Sequence, residues 1–146
     1  MQELTLLSQI ILYVILSVMG VISVIVLVWQ INVLKGKKMK NPDGSFDDWH
    51  EQKIFYGIAL SDIFIACPLN IAGIVLVFIS PRWGFYLLAM VSFWWVWANT
   101  MTTSTSLRFE KPKITLMWII AYPFEILIGL LFILWSIINF DIIYSI

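Results

Sequence analysis

The sequence predicts an all-α membrane protein, a four-transmembrane-helix antiparallel bundle with both termini outside, and three observations carry that prediction. Hydrophobic residues make up 61% of the chain and charged residues 12%, half the share of roughly 25% found in an ordinary soluble domain. Four apolar runs, at 4–34, 55–80, 83–106 and 114–140, each reach the roughly 20 residues needed to cross a bilayer. The basic residues fall almost entirely between alternate runs, which fixes an orientation. The runs are unbroken, unlike the alternating segments of an outer-membrane barrel. At 146 residues the chain is read as one membrane domain, 1–146.

The first run opens on Met1-Gln2-Glu3, with no basic region before it and no clear small-residue cleavage site. It therefore reads as a retained span and not as a cleaved signal. It is longer than a bilayer requires, so it is expected to tilt or to project. Lys35, Lys37, Lys38, Lys40 and Lys53 follow it, Arg108, Lys111 and Lys113 lie in the third loop, and only Arg82 lies on the other side. That asymmetry places 35–53 and 107–113 in the cytoplasm. A multi-pass protein of a prokaryotic plasma membrane is the expected setting. The same lysines suit anionic headgroups, so membrane lipids are expected partners.

Within the first loop, Asn41-Pro42-Asp43-Gly44 has turn chemistry, and Ser45 with Asp48 forms a capping-box pattern. The second helix is thus expected to start near Phe46, with Asp47, Asp48 and Glu51 favoured by its dipole. Together with His50 these acids read as a solvated helix entry. A metal site at the cytoplasmic mouth is the sharper alternative, although His50-Glu51-Gln52-Lys53-Ile54 lacks the HExxH spacing. Ser80-Pro81-Arg82 is too short to do more than turn the chain, making spans two and three antiparallel neighbours. Pro112 suits a helix start in the third loop. Trp29, Tyr56 and Trp118 on the inner side, and Trp83, Tyr86, Trp135 and Tyr144 on the outer, match interfacial belts.

Several function classes drop out. Net charge is zero, leaving no basic excess to attract nucleic acid. One cysteine, Cys67, and one histidine, His50, allow no intrachain disulfide, no CxxC redox pair and no bis-histidine haem within a subunit. No cofactor is expected.

What remains is a set of polar residues at hydrocarbon depth. Asp62 lies inside the second run and Glu125 inside the fourth, and ionisable groups in such positions mark functional sites by default. At 100° per residue, Glu51, Phe55, Ala59, Asp62, Ala66, Leu69 and Gly73 share one face. Trp118, Ala121, Tyr122, Glu125, Gly129, Phe132 and Ser136 share another. The small residues beside each acid permit close helix approach. On the third run the stripe is Ser92, Trp95, Asn99, Thr102 or Thr103, and Ser106. The first run offers a packing seam of Tyr13, Ser17, Gly20 and Val24. Counting about 1.5 Å per residue from the nearest basic residues puts Asp62 and Asn99 roughly 13 Å deep and Glu125 roughly 18 Å deep.

These depths predict a polar pocket open to the cytoplasm beneath a nearly apolar outer half. Its expected members are Asp62, Glu125, Asn99, Trp95, Thr103 and Tyr122, with Glu51 at the mouth. A plainer arrangement is also open, with the polar groups simply bonding between helices and Lys53, Arg108 or Lys113 reaching in to pair with the acids. Pro68 and Pro123 free the carbonyls of Phe64 and Ile119, near one acid each. Of the aromatic cluster Phe93, Trp94, Trp95 and Trp97, only Trp95 is expected to face the pocket. Two acids in one pocket suit a carrier in which a proton and a cationic or amphipathic small molecule compete. The alternatives are an intramembrane enzyme acting on a lipid or isoprenoid, and an accessory subunit of a larger membrane complex. A homo-oligomer or a membrane-protein partner fits a bundle this small.

Overall fold

The computed structural model describes residues 4–37, 39–40, 46–47, 53–110 and 113–144. Helix dominates, and two helices, Leu6–Leu34 and Tyr56–Ile79, are long and apolar enough to cross a membrane. The first, α1 (Leu6–Leu34), starts where the Thr5 hydroxyl accepts the Ser8 N–H at 3.2 Å. It ends in a Schellman motif: Gly36, at φ 66°, donates to the Val33 carbonyl and Lys37 to that of Asn32. Only a residue tolerant of the left-handed region closes a helix this way without strain.

Two short strands follow, β1 (Met39–Lys40) and β2 (Phe46–Asp47), paired antiparallel with Met39 opposite Asp47. Phe46 is therefore extended and does not open the second helix. The capping pair Ser45 and Asp48, and the mouth residues His50 and Glu51, lie outside the described residues.

The second apolar run is α2 (Lys53–Ser61), a π-helical turn over Asp62–Ala66, and α3 (Cys67–Ile79). Its cause is in the sequence. Pro68 has no N–H, and its ring crowds the carbonyl four residues back; the helix responds by widening, and the Cys67 N–H reaches back to Asp62 O. Such bulges gather at functional positions, and this one starts on the acid.

Ser80 ends α3 by donating to Leu76 O at 2.7 Å, and Pro81 opens α4 (Pro81–Thr105), which runs into a second π-helical turn, Ser106–Glu110. Proline suits a first helical position because its missing donor is unneeded there. The fourth run is not one helix. It comprises α5 (Leu116–Ala121), α6 (Pro123–Ile138) and α7 (Phe140–Tyr144), interrupted at Tyr122 (φ −124°, ψ −82°) and at Asn139. Pro123 imposes the first interruption, since the residue before proline is driven out of helical geometry.

Helix α4 packs between α3 and α6, and α1 closes the ring against both. The core holds Leu12, Leu16 and Met19 of α1, Val77 of α3, Phe85 and Leu88 of α4, and Phe132 and Trp135 of α6. Glycines set the closest approaches. A Cβ on Gly84 would overlap the backbone of Leu76 and Val77, and one on Gly129 would lie 2.8 Å from Ser92 O. Outside, the helices are paved with apolar side chains such as Phe64, Phe78, Phe93 and Ile137.

Two sequence expectations fail here. The buried face of α1 is Leu12, Ile15, Leu16, Met19, Ile22, Ser23 and Val33, while Tyr13, Ser17 and Val24 are exposed. The expected seam followed small and polar residues, whereas bulky aliphatics fill this interface. The half of the bundle away from the acids is also less uniformly apolar than expected. Asn70, fully buried, donates to Ser23 Oγ at 2.6 Å and to Met19 O at 3.2 Å. At the end near the termini, Ser8 Oγ donates to Asn139 Oδ1 at 2.9 Å and Trp135 Nε1 to Ser8 O at 3.0 Å.

Candidate functional site

A buried cavity of about 50 Å³ lies where α1, the π turn of the second run, α4 and the α5–α6 break converge. Asp62 enters it from the first residue of the π turn and Glu125 from the first turn of α6. Both carboxylates are buried, at 8% and 7% residual exposure. Each thus stands at a local irregularity of its helix, and Glu125 has the favourable end of the α6 dipole beside it.

Neutral amides hold both acids. Gln30 of α1 donates from Nε2 to Asp62 Oδ2 at 2.7 Å. Asn99 of α4 donates from Nδ2 to Glu125 Oε2 at 2.8 Å and to the Trp95 carbonyl at 3.0 Å. The indole N–H of Trp94 is directed toward Asp62 from α4. Trp29, Trp95, Tyr122 and Thr102 complete the polar and aromatic lining. Tyr122 stacks on Trp118, with ring centroids 5.3 Å apart, and the Trp118 indole donates to Ser106 Oγ at 3.2 Å, tying α5 to the end of α4. Among the described residues lining the cavity, none is lysine, arginine or histidine.

Of the residues singled out from sequence, Asp62, Glu125, Asn99, Trp95 and Tyr122 meet in this one cavity. Thr103 does not line it; its neighbour Thr102 does, and the Thr103 hydroxyl is buried without a hydrogen-bond partner. Glu51 is outside the described residues. Among the described residues, neither acid has a basic side chain as a hydrogen-bond partner, and Arg108 is exposed. Sequence reasoning missed Gln30 and Trp94. Gln30 sits four residues before the end of α1, where an amide reads as an interfacial group; its spacing of seven and eight residues from the buried Ser23 and Ile22 was the available signal. A helical wheel turns Trp94 100° away from Trp95, yet its long indole reaches back toward Asp62.

The volume limits what fits. At roughly 10–15 Å³ of accessible volume per water, this cavity holds a few waters or one small cation. No protein family, curated protein or solved structure matches the chain.

Proposed function

We propose that the chain is a four-span membrane carrier, N-out and C-out, whose Asp62–Glu125 cavity lies in the cytoplasmic half of the bundle and exchanges protons for a positively charged solute. The four spans in this reading are α1, the second run from α2 through α3, α4, and the broken α5–α6 pair. One observation carries the reading: two carboxylates line the same small buried cavity, bonded by neutral amides with no basic side chain among its described lining.

Burying two negative charges together is costly in a low-dielectric interior, so the cavity favours a guest that brings positive charge. A proton and a cation are interchangeable in that role, and competition between them is the basis of exchange. The breaks support it further. Transporter sites at hydrocarbon depth use interrupted helices, whose ends offer dipoles and backbone groups to ions; Glu125 sits just past such a break, at Tyr122, and Asp62 at a π-helical turn within a continuous helix.

The test uses proteoliposomes loaded with a pH-sensitive dye and given a transmembrane proton gradient. Sodium, tetramethylammonium and ethidium are added outside in turn. At least one of them is expected to speed collapse of the gradient, and Asp62→Asn or Glu125→Gln to slow that collapse about tenfold or more. Collapse at the wild-type rate with both acids replaced would refute the proposal.

A further inference from the structure

We infer that the cationic solute enters sideways from the bilayer, through an aromatic groove on the outer surface of α4, with Trp94 as the partition between that groove and the acid cavity. The inference rests on the carrier reading and names its substrate class: a flat aromatic cation that partitions into lipid.

Trp94 belongs to two hollows at once. It lines the acid cavity, and with Met90, Phe93 and Trp97 it lines an open groove of about 300 Å³ on the face of α4 away from the core. Phe93 and Trp97 are exposed, at 67% and 50%. The Trp94 and Trp97 rings stand 5.2 Å apart at 44°. In a membrane that face meets lipid tails.

Size and charge divide the work. The cavity of about 50 Å³ is too small for an organic ion, whereas the groove of about 300 Å³ is at the lower end of ligand-sized pockets. The groove offers ring faces, which attract cations, but no carboxylate; both acids lie behind Trp94. A neutral lipophile would have no use for them, and a small hydrophilic ion would have no use for the groove. A flat aromatic cation uses both, stacking between Phe93 and Trp97 while its charge faces Asp62 past the indole edge. The Trp94 indole borders both hollows, with its N–H toward Asp62. Rotation of that ring joins the two hollows.

The same proteoliposomes test this, with ethidium as the aromatic cation and sodium and tetramethylammonium as hydrophilic ones. Replacing Phe93 and Trp97 together by alanine is expected to raise the half-saturating ethidium concentration about tenfold, as loss of two ring contacts implies, and to leave any response to the hydrophilic cations unchanged. Both side chains are on the outside, so the fold is expected to survive; circular dichroism of the purified variant checks it. Trp94→Ala, with the partition removed, is expected to raise the association rate of ethidium measured by stopped-flow fluorescence. A wild-type ethidium response in the double variant, an association rate no higher in Trp94→Ala, or a response confined to hydrophilic cations would overturn the groove while leaving the carrier reading standing. Failure of every cation to collapse the gradient in the wild type would overturn both.

Discussion

Asn70 shows what a polar residue does in this interior when it is not part of the acid cavity. Its amide joins α3 to α1 through Ser23 and the Met19 carbonyl, and buried interhelical bonds of this kind in lipid contribute about 0.6 kcal/mol each, up to about 1.7. Asn70→Ala is expected to cost about 1 kcal/mol in reversible detergent unfolding, without changing cation-driven proton flux. Gln30→Ala should show the opposite pattern. It removes the donor that orients Asp62, so flux is expected to fall several-fold while stability changes little. Position decides how much of this was legible. Asp62, Asn99 and Glu125 were readable as neighbours because helical period and antiparallel depth together locate a side chain. The choice between Thr102 and Thr103 was not, since at 100° per residue the two fall on opposite sides of Asn99 at comparable offsets and nearly the same depth. Gln30 was obscured by lying near the end of a long apolar run, where glutamine is unremarkable.

At the scale of the element, glycine contacts rank the interfaces. Alanine at Gly84 would collide with backbone, at Gly129 with the Ser92 carbonyl, and at Gly73 with the movable end of Leu88. Overpacking costs roughly 1–3 kcal/mol, so thermal midpoints are expected to fall in the order Gly84→Ala, then Gly129→Ala, then Gly73→Ala, the last least affected. Equal losses at all three sites would mean that the interfaces relax freely. Prolines act differently, by shaping the site. Pro68→Ala returns a backbone donor and removes the ring that widens the helix. It is expected to raise the thermal midpoint by a few degrees, as ~1 kcal/mol does, while lowering flux, because a regular helix turns Asp62 away from its present position. Hydropathy located all four runs but hid these interruptions. A running average counts apolar residues and is blind to a missing hydrogen bond. For the same reason the fourth run read as one helix, although Pro123 made the break at Tyr122 available to a closer reading of local geometry.

For the whole molecule, the proposed orientation makes Arg82 external and Arg108 cytoplasmic. With Cys67 replaced by serine, a cysteine at position 82 is expected to react with a membrane-impermeant maleimide on intact cells, and one at position 108 only after permeabilisation; the reverse pattern would invert the topology. Charge asymmetry is the ground on which that orientation is proposed, because lysines and arginines act on insertion before any tertiary contact exists. Closure of the ring was not readable in the same way. Ser8 and Asn139 are 131 positions apart and bonded to each other, and Trp135 donates to the Ser8 carbonyl. The consequence is one of timing. During synthesis the start of α1 emerges before α6 and waits for all of the intervening residues before its polar groups find these partners. The α1–α6 contact therefore cannot close until Trp135 and Asn139 have been made, and a ribosome stalled before Trp135 would leave the Ser8 hydroxyl and carbonyl without these partners.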